Sequence, residues 1–62
     1  SRPDKILIVG KNAIVLDFKT GEPRKSYEKQ VSRYAELLEE MGFKNVRKGL
    51  LYTEISELRW VE

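Results

Sequence analysis

Apolar residues fall into five segments along the chain. Lys5 to Val9 (KILIV) is rich in aliphatic and β-branched residues and reads as a strand. Gly10-Lys11-Asn12 follows with turn chemistry, since Gly and Asn tolerate positive φ. Ala13 to Lys19 (AIVLDFK) reads as a second strand, and the short gap makes the two a hairpin. Both runs are nearly continuous in apolar residues, which predicts burial on both faces. Thr20 to Arg24 is a loop broken by Gly21 and Pro23. Tyr27, Val31, Tyr34, Leu38 and Met41 then recur at spacings of 4, 3, 4 and 3. That is the stripe of an amphipathic helix, with Ser26 as its expected cap and Gly42 at its C-terminal stop. Asn45 to Tyr52 and Glu57 to Val61 read as two further strands, joined by a turn near Glu54-Ile55-Ser56.

The expected fold class is α+β, in the order ββαββ. A strand–helix–strand crossover pairs its strands in parallel, so the four strands form a mixed sheet with one helix on one face. The other face is then left bare, which domains rarely tolerate. We therefore expect a single domain over 1–62, cut from a longer polypeptide that supplies the covering element, and self-association of the exposed sheet.

Composition narrows the chemistry. The 62 residues contain no cysteine and no histidine, which excludes a disulfide frame, a thiolate metal site and a histidine-based triad. A metal held here is a hard cation bound through oxygen. Net charge is +2, too mild to identify a nucleic-acid partner, although Arg2, Lys5, Lys11, Lys19, Arg24 and Lys25 crowd the first 25 residues. No run is long enough to span a membrane, and Ser1 to Asp4 do not make a signal peptide.

Asp17 and Lys19 stand at i and i+2 on the second strand and point to one face. On that triplet alone, an ion pair where the strand meets solvent is the simpler account. Asp4 changes the balance. It opens the first strand, and the hairpin brings it to the end of the second, beside Asp17. Two carboxylates held together repel unless a cation lies between them. Mg²⁺ suits such a site, with Mn²⁺ as a substitute, and the backbone carbonyl of Phe18 offers a third oxygen. Lys19 alongside could orient water and offset charge on a phosphate.

Asp4, the gap to Asp17, and Asp17-Phe18-Lys19-Thr20-Gly21 together resemble the PD-(D/E)xK nuclease core. The sub-group is the RecB-like nuclease domain at the C-terminal end of bacterial helicase–nucleases. Gln30-Val31-Ser32-Arg33-Tyr34 resembles that group's Gln-xxx-Tyr helix motif, and Gly49-Leu50-Leu51-Tyr52 with Glu57-Leu58 resembles its closing strands. Phe18 stands where the group has tyrosine, with a side chain expected to face the core. The resemblance implies part of a restriction-endonuclease-like core. It also implies magnesium-dependent hydrolysis of DNA, in the manner of a repair and recombination exonuclease. Asp4 and Asp17 are then metal ligands with the Phe18 carbonyl, and Lys19 is the catalytic lysine. Gln30, Tyr34 and Tyr27 line the site or meet DNA. It implies a helicase motor as partner and a cytoplasmic setting. The family's first helix, with a further metal-proximal residue, would lie upstream of Ser1, so the fragment alone is expected to be weak or inert. The alternative is a non-catalytic DNA-binding or protein-interaction module that keeps the nuclease fold.

Tyr27 and Tyr34 lie on the apolar stripe, and taken alone each is better explained as core than as site. Trp60 is most simply an aromatic lid on the sheet, and Glu36, Glu39 and Glu40 the wet side of the helix.

Overall fold

The computed structural model describes residues 2–62; the reading of Ser1 within the N-terminal stretch lies outside the described residues. The order is β1 (Lys5–Val9), β2 (Asn12–Lys19), α1 (Lys25–Glu40), β3 (Asn45–Tyr52) and β4 (Glu57–Val61). The strands form one mixed sheet in the order β1-β2-β3-β4. β1 and β2 pair antiparallel, β2 and β3 parallel, β3 and β4 antiparallel. The α+β class, the ββαββ order and the mixed four-stranded sheet are as the sequence led us to expect.

Asn12 opens β2 rather than closing the turn. Val9 pairs with Asn12, leaving the two-residue loop Gly10-Lys11. Gly10 carries φ 60, the position a glycine holds in a type II′ hairpin turn. Ser26 does not cap the helix. The first turn closes through the Tyr27 N–H onto the Arg24 carbonyl, so the extended residue at the boundary is Arg24, and no side chain caps it. Gly42, at φ 105, follows Met41 and ends the helix as expected.

Register assigns the faces. Ile6 and Ile8 stand opposite Val15 and Ala13, and Ala13, Val15, Asp17 and Lys19 stand beside Val46, Lys48, Leu50 and Tyr52. This face receives α1. Val31, Ala35 and Leu38 of the helix are buried, as are Ala13, Val15, Leu50 and Tyr52 of the sheet. Tyr27 and Tyr34 are half-buried against that core. The wet face of the helix carries exposed Glu36, Glu39 and Glu40.

Burial on both faces of β1 and β2 does not occur. Leu7, Ile14, Leu16, Phe18, Leu51, Leu58 and Trp60 share the face away from the helix, where among the described residues no further element packs over them. Phe18 points there, 43% exposed, and not into the core. Side chains alternate along a strand, so placing Asp17 and Lys19 on the helix side forces Phe18 to the other. Trp60 partly roofs this face. Its ring lies over Gly49, whose missing side chain makes room for it, and the Arg47 guanidinium stacks 3.9 Å from the ring centre. Among the described residues no helix is long and apolar enough to cross a membrane.

Candidate active site

The β1–β2 pairing ends at Lys5 opposite Leu16. The next residues in register are Asp4 and Asp17, on the helix face, then Pro3 and Phe18. Pro3 has no N–H to give. The ladder stops there, and the Asp4 side chain takes over: its Oδ2 accepts the Phe18 N–H at 2.8 Å. The N–H and C=O of a strand residue point to the same side. The Phe18 carbonyl therefore faces the same edge as Asp4, toward a proline that cannot donate to it. This places the Phe18 main chain, though not its ring, beside the two acids.

The Asp4 and Asp17 side chains face each other one step beyond the ladder, close enough to perturb one another. The two carboxyls respond unequally. The Phe18 N–H, then Asp17, hold Asp4 below the ordinary carboxylate value. Burial, then the hydrogen bond with Asp4, push Asp17 above it, with Lys19 pulling back. The Asp17 side chain is 13% exposed and that of Lys19 20%, so their ion pair, Nζ to Oδ2 at 3.0 Å, is well shielded.

Three groups hold the Lys19 ammonium. Besides Asp17, it donates to Gln30 Oε1 at 3.0 Å and lies 4.5 Å from the centre of the Tyr27 ring. Tyr27 in turn leans on buried Tyr52, ring centres 6.4 Å apart. Helix α1 therefore fixes the lysine through residues one turn apart, Tyr27 and Gln30.

Tyr34 does not touch the lysine. It lines two concavities beside the acids, a small one with Arg2, Pro3, Asp17, Gln30 and Val31 and a larger open one with Arg2, Pro3, Asp4, Lys5 and Ile6. Every residue expected at the site thus gathers at one end of the sheet. Lys29 and Arg33, which the sequence reading did not single out, border an adjoining concavity with Gln30 and Tyr34. Their i, i+4 spacing next to Gln30 and Tyr34 was the available signal. Arg24 and Lys25 stay exposed at the helix start.

Two facing carboxylates and a backbone carbonyl make an all-oxygen donor set, which fits a hard divalent cation. Such binding requires both carboxyls in the deprotonated form. Among the described residues no third acidic side chain joins them. Compared with protein-family models, with curated proteins and with solved structures, the chain matches none.

Proposed function

We propose that this chain is the metal-binding part of a DNA nuclease of the PD-(D/E)xK type, in the RecB-like sub-group. One observation carries the reading: Asp4 and Asp17 meet at the end of a hairpin with the Lys19 ammonium 3.0 Å from Asp17. Asp4, Asp17 and the Phe18 carbonyl would hold Mg²⁺, with Mn²⁺ as a substitute. Bound there, the cation supplies an activated water and offsets charge on the scissile phosphate. Lys19 adds a fixed positive charge that needs no reorganisation as negative charge builds on the phosphate. Gln30 and Tyr27 hold that ammonium in place, so they act as positioning residues. Tyr34 forms the wall of the groove next to the acids. The mode that follows from the sub-group is exonucleolytic, within a cytoplasmic repair and recombination enzyme whose helicase motor lies in the same polypeptide or complex.

In the polypeptide that carries this chain, Asp17→Ala is expected to abolish Mg²⁺-dependent cleavage of linear DNA while the circular dichroism spectrum is kept. Cleavage retained by Asp17→Ala removes this residue from the mechanism.

One observation favours a second reading. Among the described residues only two acids meet, where a full catalytic metal site commonly has more. The second reading is a non-catalytic DNA-binding or protein-interaction module on the same fold. A Mn²⁺ titration followed by NMR separates the two. Broadening confined to Asp4, Asp17 and Phe18 supports the hydrolase, and broadening scattered over Glu36, Glu39 and Glu40 supports the module.

A further inference from the structure

The two flanks of α1 differ in charge. Around the helix, Glu28 and Glu39 lie to one side of the buried stripe and Gln30 to the other, with Arg33 further round that side and Lys29 on the back of the helix, where it borders one concavity with Gln30 and Arg33. Glu28 faces β4, where its charge acts on Arg59. The opposite flank faces β1, because Tyr34, next to it, shares a concavity with Arg2, Asp4 and Lys5. Between that flank and the start of β1 runs an open groove. Its floor at one end is Asp4 and Asp17. Arg2 borders it beside the acids, and Lys29 and Arg33 border the adjoining concavity that Gln30 and Tyr34 join to it. All three cations are exposed. Among the described residues the ion pairs are Lys19–Asp17 and Arg59–Glu57, so none of the three has an acid within ion-pair distance. Their charge is left for an outside partner, and a polyanion with regularly spaced charges complements it.

We infer that Arg2, Lys29 and Arg33 form a phosphate track that grips the sugar–phosphate backbone of a nucleic-acid strand on the β1 side of the acids. This rests on the nuclease reading only for which phosphate would lie over Asp4 and Asp17. The grip itself needs neither metal nor cleavage. Lys29 and Arg33 are one turn apart, about 6 Å along the axis, so they address neighbouring points of one strand. The Glu28 flank repels phosphate, so the strand is held on one side of the acids.

The test is fluorescence anisotropy of a labelled single-stranded oligonucleotide in EDTA, across about 50–200 mM salt. Lys29→Gln/Arg33→Gln is compared with Lys11→Gln/Lys44→Gln, two exposed cations at the other end of the sheet, where Lys44 N–H meets the Lys11 carbonyl. The track predicts that the first double variant flattens the plot of log Kd against log salt by about 1.4, about 0.7 per lost contact. The second leaves slope and affinity as in the parent. Equal effects of both pairs, a slope unchanged by Lys29→Gln/Arg33→Gln, or no binding at 50 mM salt each overturn the track. Binding that follows the prediction in a parent polypeptide without cleavage activity overturns the hydrolase reading and leaves the track standing.

Discussion

Replacing Lys19 by methionine removes the ammonium and keeps an aliphatic stem against Tyr27. The lost contacts are the ion pair with Asp17 at 3.0 Å, the hydrogen bond to Gln30 at 3.0 Å and the cation–π contact at 4.5 Å. At an effective dielectric of about 20, unit charges 3.0 Å apart attract by about 5–6 kcal/mol. Desolvating the ammonium returns several kcal/mol of that, and the remaining exposure of 20% and 13% adds some screening. The cation–π contact contributes about 0.5–1 kcal/mol. The balance is a loss of about 2 kcal/mol at pH 7. For a domain this small that lowers Tm by about 8–16 °C. The sign of the pH dependence is fixed by the acids. Lys19 lowers the pKa of both Asp4 and Asp17, so its removal raises both. The folded variant then binds more protons than the parent, and its deficit shrinks as pH falls through the carboxylate range. Urea denaturation of Lys19→Met and parent, in EDTA at pH 7 and at about pH 4, measures this. A deficit that is the same at both pH values, or below about 0.5 kcal/mol at pH 7, refutes the reasoning and makes the pair a solvated one.

Three more predictions follow from the same geometry. Folding raises the Asp17 pKa, so its contribution to stability declines as pH rises from the ordinary carboxylate value through the raised one. Asp17→Asn therefore stabilises the metal-free chain at pH 7, with the gain vanishing below about pH 4, where Asp17 is protonated in both states; a lower urea midpoint at pH 7 contradicts this. A Cβ at Gly49 would meet Leu16 at 3.0 Å and the Trp60 ring at 3.1 Å. Gly49→Ala is expected to cost about 1 kcal/mol by thermal denaturation, and less in a Trp60→Ala background, where only the Leu16 contact remains; an equal cost in both backgrounds excludes the ring as a cause. The uncovered face, with Leu7, Phe18, Leu58 and Trp60 exposed, drives self-association that Leu58→Lys reduces. Sedimentation velocity at high concentration reports it, and a monodisperse parent chain removes the premise.

The strands and the helix were legible because each rests on a local pattern: β-branched runs, a 3-4 stripe, and glycines where the chain turns. The meeting of Asp4 with Asp17 was legible too, since a two-residue hairpin fixes register and hence which ends adjoin. The packed face was not. β2 reads apolar on both sides, and only the position of the single helix decides that Val15 is buried while Phe18 is not. The cap was misplaced because Ser26 has the right side chain in the wrong backbone position, the first turn having already closed onto Arg24. Gln30 was visible only through a family motif. Its bond to Lys19 depends on how far α1 slides along the sheet, a tertiary quantity that no local pattern encodes. The basic flank escaped notice because Lys29 and Arg33 read as ordinary helix surface until their neighbours across the groove are known.

The acids and the lysine's anchors differ in how much chain must be closed to unite them. Phe18 and Asp4 are 14 residues apart and meet within one hairpin, a motif that forms in about 1–10 μs. Parallel pairing of β2 with β3 joins residues such as Asn12 and Asn45 and waits on closure of a much longer loop. The carboxylates can therefore come together while the rest of the chain is still unfolded. If the divalent ion proposed above is captured at that stage, it would tie down the hairpin first and serve as a nucleus for the later strands.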